Sequence, residues 1–122
     1  VSPIMLAGLF GLAKGIVYGR SLPAEADTSP TFGDVLAAPV REELLFRGAL
    51  QALPPVLSAA AFGAAHVVAP HPQPVLRFAD AAFGGLLYSQ AAKSSGFAGA
   101  VLAHMLHNLA VSVGASAAKP RR

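Results

Sequence analysis

Apolar residues run along this chain in long blocks, cut by proline, glycine and small groups of charge, with no alternation of the kind an exposed sheet requires. That punctuation predicts five helical segments, roughly 3–19, 34–53, 55–69, 75–92 and 96–116, and no strand. Pro54-Pro55 forces a turn between the second and third segments, because the residue before each proline is pushed out of the helical region. Ala69-Pro70-His71-Pro72-Gln73-Pro74 reads as a short stiff loop, with His71 facing solvent, and a Lys93 loop separates the last two segments. The stretch 20–33, with Pro23, Pro30 and its acids, reads as an exposed linker. Segments of about 15 to 21 residues at 1.5 Å rise span roughly 22 to 32 Å, enough to cross a hydrocarbon core, with the third marginal. The expected fold is therefore all-α, a polytopic transmembrane bundle of about five helices. It divides into an N-terminal helix and polar linker (1–33), a core (34–116) and a basic tail (117–122).

Composition sharpens this reading. Of 122 residues, 54% are hydrophobic and only 12% charged, which is too few to cover a soluble domain of that size. The charges gather in the linker, at a helix start (Arg77, Asp80), near Lys93 and in the tail. If all five segments cross, Arg20, Arg77, Lys119, Arg121 and Arg122 share one face against Lys93 alone, which makes the first face cytoplasmic or its stromal equivalent. The scattered basic residues lack the aromatic interleaving of a nucleic-acid surface. There is no cysteine, hence no disulfide framework and no thiolate metal site. The chain opens on Val1 without a basic n-region, so no signal peptide is expected. Lys14 is expected to snorkel toward the Arg20 end of its helix. Gly11-x-x-x-Gly15 and Gly84-Gly85 suggest close helix contacts.

Against that apolar background a few polar side chains stand out. Glu42 and Glu43 lie inside a greasy helical run, where charge is costly unless it has a partner or a task. Glu43 and Arg47 are spaced i, i+4 with the acid N-terminal, the better orientation for an ion pair, while Glu42 points about 100° around the helix and has no equally obvious local partner. His66 follows Phe62 by one turn, and Asn108 follows His104 by one turn. A carboxylate held ionised near an imidazole can act as general base on water, and an imidazole with an amide can donate to a developing oxyanion. Each group also has a plain structural reading. Glu43 with Arg47 can be a buried pair that sets register. Phe62 can be simple core, His104 with Asn108 can join helices, and His107 can be packing or support for the site. Arg77 and Asp80 can pair at i, i+3 with no further role.

The order and spacing of these residues resemble the CaaX protease and bacteriocin-processing family of membrane proteases, to which the prenyl-protein (Ras-converting) endopeptidases belong. The family pattern, E-E-x-x-x-R, then F-x-x-x-H, then H-x-x-x-N, is carried here by Glu42-Glu43 with Arg47, Phe62 with His66, and His104 with Asn108. The context Phe83-Gly84-Gly85-Leu86-Leu87-Tyr88 is also family-like, and the likeness covers about residues 34 to 113. The resemblance implies an integral, multi-pass membrane endopeptidase acting on peptide or prenylated-protein substrates within the lipid bilayer. Glu42 and His66 would activate water, His104 and Asn108 would steady the oxyanion, and Glu43, Arg47 and Phe62 would support the site. No cofactor is favoured: His66, His104 and a carboxylate are possible zinc ligands, but the histidines do not share an H-E-x-x-H helix and asparagine is a poor ligand for zinc. Two other readings use the same polar groups. One is a non-catalytic scaffold or bacteriocin-immunity-type protein of the same fold. The other is a small ion or proton carrier.

Overall fold

The computed structural model describes residues 2–21, 33–49, 53–68 and 73–118, and among them there is helix but no strand. Helix α1 (Pro3–Ser21) starts at a proline, with the Met5 amide donating to the Ser2 hydroxyl at 3.2 Å, a serine N-cap ahead of an N1 proline. Helix α2 (Ala38–Glu43) is flanked by π-helical turns, Gly33–Ala37 before it and Leu44–Ala49 after it. Pro39 has no N–H to return to Val35, which removes an ordinary α-helical bond where the first π turn meets α2. Helix α3 (Pro55–Ala65) also begins at a proline and closes early. The His66 and Val67 amides donate three residues back, to Gly63 and Ala64, and tighten the end.

Helix α4 spans Pro74–Ala118 but is broken at Gly96, where φ is 73° and ψ is −172°. That conformation is open essentially only to glycine. The Tyr88 and His104 rings stack with centroids 4.3 Å apart. Sixteen residues along one straight helix would separate them by about 24 Å, so the chain reverses at Gly96 and α4 is a hairpin of two antiparallel halves.

Glycines set the packing around this hairpin. A Cβ on Gly11 would lie 2.5 Å from the His107 carbonyl oxygen, and Gly15 and Gly19 meet Val111 and Ala115 in the same step, so α1 runs parallel to the second half of α4. Phe10 meets Phe83 at 4.7 Å while Lys14 meets Asp80, so α1 runs antiparallel to the first half. Helix α3 also packs antiparallel to that half, Gly63 on Phe78 and Gly85 on Ala59. The interior is built from small and aromatic residues, Ala7, Ala91, Ala100, Ala103, Phe46, Phe62 and Tyr88. Large apolar side chains face outward: Met5, Leu9, Leu102 and Val113 are all more than half exposed, while Glu43, Asp80, His104 and His107 are buried. This inverts the pattern of a soluble domain and suits lipid as the surrounding solvent. Among the described residues one helix, Pro74–Ala118 taken as a whole, is long and apolar enough to cross a membrane.

Several sequence expectations change in detail. No Lys93 loop exists; the helix continues through it to Gly96, with the Ser94 hydroxyl donating back to the Gln90 carbonyl at 3.2 Å. The third segment stops at Ala65, short of 69. Lys14 does not snorkel. A closer acid on α4 captures it, with Nζ 3.3 Å from Asp80 Oδ1. The body of the 20–33 linker (22–32), the Ala69–Pro72 part of the proline loop with His71, and the tail at 119–122 lie outside the described residues.

Candidate active site

Helix α2 presents Glu42 and Glu43 on adjacent bearings, and each finds a different environment. Glu43 is fully buried. Its Oε1 lies 3.4 Å from Arg47 Nε, one turn along, and its Oε2 lies 2.8 Å from His104 Nδ1. Arg47 also donates from Nη2 to the Gly85 carbonyl at 2.6 Å, and its guanidinium lies over the Phe62 ring, 5.8 Å from the centroid. Glu43 and Arg47 thus tie α2 to both halves of the α4 hairpin. The ion pair expected from the i, i+4 spacing is present.

Glu42 is half-buried and faces two imidazoles. Oε1 stands 3.7 Å from His66 Nε2, and Oε2 stands 3.1 Å from His104 Nε2. His66 sits at the C-cap of α3, and its Nδ1 lies 2.7 Å from the Phe62 carbonyl. A carbonyl only accepts, so Nδ1 carries the hydrogen and, in the neutral ring, Nε2 turns a lone pair toward Glu42. His104 is placed differently, because both its nitrogens face carboxylate oxygens. Satisfying both contacts takes a hydrogen on each nitrogen, or one held by a facing carboxyl. Phe62 packs against this group from below, edge-on to His104 at 5.5 Å and to Tyr88 at 5.7 Å, and tilted to His66 at 4.4 Å.

These groups open onto a cavity of ≈ 300 Å³ lined by Glu42, Phe62, His66, Tyr88, His104 and Asn108 among others. Three separate pieces of chain, α2 with the π turn that follows it, the end of α3 and the second half of α4, bring the sequence-predicted residues to one place, and the first half of α4 completes the cavity wall. Sequence reasoning did not assign Lys14 or Tyr88 to this cavity, and it gave Arg77 with Asp80 no role beyond pairing, yet all four line it. An isolated lysine inside an apolar helix was the available signal. His107, read as packing or support, donates from Nδ1 to the Ala7 carbonyl at 3.2 Å and stacks on Phe10. Among the described residues no three imidazole or carboxylate groups are disposed to hold a metal ion. His104, the second imidazole a zinc ion would need, has both ring nitrogens engaged by carboxylates.

A constellation of glutamates, histidines and an arginine inside an outward-greasy helical bundle defines a membrane-protein site with hydrolytic chemistry within reach. Residues 26–110 match the family model for type II CAAX prenyl endopeptidase Rce1-like proteins. The chain belongs to that Rce1-like family, whose members are membrane-embedded CAAX-protease-like peptidases. All seven motif residues, from Glu42 to Asn108, fall inside the matched stretch. No curated protein and no solved structure matches the chain.

Proposed function

We propose that this chain is a multi-pass, membrane-embedded glutamate endopeptidase that hydrolyses a peptide bond in a prenylated-protein or peptide substrate without a metal. The observation that carries this reading is the Glu42 carboxylate, set between His66 Nε2 at 3.7 Å and His104 Nε2 at 3.1 Å on the wall of a cavity. The gap between Glu42 and His66 is too long for a direct hydrogen bond and suits a bridging water. That water gives one hydrogen to Glu42 Oε1 and the other to the His66 lone pair, leaving its oxygen aimed into the cavity.

Glu42 takes a proton as the water oxygen bonds to the scissile carbonyl carbon, and the carbonyl electrons move onto oxygen. The His104 Nε2–H rests on Glu42 in the free protein. Once Glu42 is protonated it becomes a weaker acceptor, and that N–H turns to the oxyanion with the Asn108 amide beside it. Collapse expels the amine, which takes the proton back from Glu42, and the new carboxylic acid gives its remaining hydroxyl proton to that amine, so the products leave as a carboxylate and an ammonium. Glu43 and Arg47 act by positioning: Glu43 fixes His104 through Nδ1, and Arg47 balances the Glu43 charge.

Cleavage of an internally quenched prenylated peptide by the full chain in detergent tests this reading. Glu42→Gln, which keeps the shape and removes the base, is expected to lower kcat by about 10²- to 10⁴-fold with unfolding unchanged. Equal turnover by Glu42→Gln and the native chain, or no cleavage of any peptide, overturns it.

A further inference from the structure

Tyr88 is a large cavity-lining side chain that hydrolysis by Glu42 and His66 leaves without a task. It is 1% exposed, among the most completely buried residues of the chain. Its ring lies flat against the His104 imidazole, with centroids 4.3 Å apart and planes 13° from parallel, and meets Phe62 and His107 edge to face at 5.7 and 5.9 Å. A phenylalanine would make every one of these contacts. The hydroxyl is what the packing does not explain, because among the described residues nothing hydrogen-bonds to it. A buried hydroxyl without a partner costs free energy, and in this position it is left for a ligand.

The hydroxyl stands at the cavity. Gly84 lies one turn before Tyr88 on α4 and lines the cavity with it, and a Cβ built on Gly84 would come 3.3 Å from the hydroxyl oxygen. The absent side chain therefore keeps that oxygen uncovered. His104, the other layer of the stack, is oriented by its two carboxylates. Nδ1 turns to Glu43, which is fully buried, and Nε2 turns to Glu42 on the cavity wall. The Tyr88 O–H and the His104 Nε2–H thus leave the stack on the same, cavity side.

We propose that Tyr88 is a catalytic residue, its hydroxyl acting as a third donor, beside His104 Nε2 and Asn108, to the oxygen of the scissile carbonyl as that oxygen becomes an anion. The proposal rests on the hydrolytic reading above for the reaction it serves. A phenol suits this task because it is neutral, so the apolar interior carries it without a counter-ion, and because it donates while keeping its proton. His104 Nε2 must first release Glu42. The Tyr88 hydroxyl has no partner to release, and its ring is held between His104 and Phe62, so it is aimed before the substrate arrives.

The test compares the full native chain with Tyr88→Phe in nanodiscs, using two uncleavable versions of one prenylated peptide. In the first a phosphinic group, –P(O)(O⁻)–CH2–, replaces the scissile amide and presents a tetrahedral anion. In the second a ketomethylene group, –C(O)–CH2–, presents a neutral planar carbonyl. Tyr88→Phe keeps the ring and its stacking, so it is expected to unfold at the same point as the native chain or a higher one. It is expected to weaken the phosphinic peptide about 10- to 100-fold, the scale of one hydrogen bond to a charged group, and to leave ketomethylene binding within about twofold. With the cleavable peptide, kcat should fall about 10²-fold while KM stays constant.

Equal weakening of both probes overturns the proposal, since it makes the hydroxyl a ground-state contact or a support for His104. Unchanged binding of both overturns it as well. Full turnover by Tyr88→Phe where Glu42→Gln is inactive removes the third donor and keeps the hydrolytic reading. Selective loss of the phosphinic peptide in a chain that cleaves no peptide keeps Tyr88 as the donor to a tetrahedral anion and removes the hydrolytic reading, so the two fail separately.

Discussion

Arg47 and Glu43 form the ion pair whose loss should be felt most, because Glu43 is 0% exposed and Arg47 only 7%. Replacing Arg47 by methionine keeps much of the packing against Phe62 but leaves the Glu43 charge buried with His104 as its remaining partner, and removes the side-chain donor to the Gly85 carbonyl. Removing one member of a buried pair typically costs about 3–5 kcal/mol, and that is the expected loss for Arg47→Met. Glu43→Gln strands the guanidinium instead and is expected to cost about 3 kcal/mol. The double variant leaves neither charge behind, so its loss should fall short of the sum by about 2–3 kcal/mol. Reversible unfolding in mixed micelles titrated with dodecyl sulfate measures all four corners of the cycle. Turnover should remain low in the double variant even as stability recovers, because His104 no longer has a carboxylate at Nδ1. Losses that add to within about 0.5 kcal/mol refute the argument and reduce the pair to decoration.

Two further substitutions probe the frame that carries the site. Gly96→Ala places a Cβ at a φ of 73° and should destabilise by about 1–3 kcal/mol in the same unfolding titration, although nothing lies close enough to clash with it. Gly15→Val drives a side chain into the Val111 carbonyl and forces α1 off the second half of α4. We expect at least about 1–3 kcal/mol of destabilisation together with a fall in kcat, read from unfolding and peptide cleavage, since His104 and His107 ride on the displaced helix.

Much of this arrangement was legible because proline and glycine mark helix ends by covalent geometry, and ends are what divide an apolar chain. Pro3 and Pro55 open helices as expected, Pro74 opens α4 one residue ahead of the expected start, and the Gly11–Gly15 step packs against α4 as its spacing suggested. Glu43 with Arg47 and Arg77 with Asp80 were also readable, being pairs within one turn. The sequence pattern points to a loop around Lys93 rather than to the reversal at Gly96, because it does not disclose that a single glycine with positive φ can turn the chain. The π-helical turns beside α2 left no periodic signature. Lys14 was misread for a related reason: its partners Asp80 and His107 are remote in sequence and come near only when α1 docks on the hairpin. A lysine without a visible partner is assigned to the membrane edge by default, and only tertiary packing supplies the alternative.

In the proposed reaction a water molecule held by Glu42 and His66 attacks the scissile carbonyl directly. A single-turnover cleavage in ¹⁸O-labelled water, followed by mass spectrometry of the product and of the Glu42-containing peptide, tests it. Label is expected in the new carboxylate of the product and none in Glu42. Label in Glu42 would show that its carboxylate attacks the carbonyl and passes through an acyl-enzyme anhydride, which rules out direct attack by water.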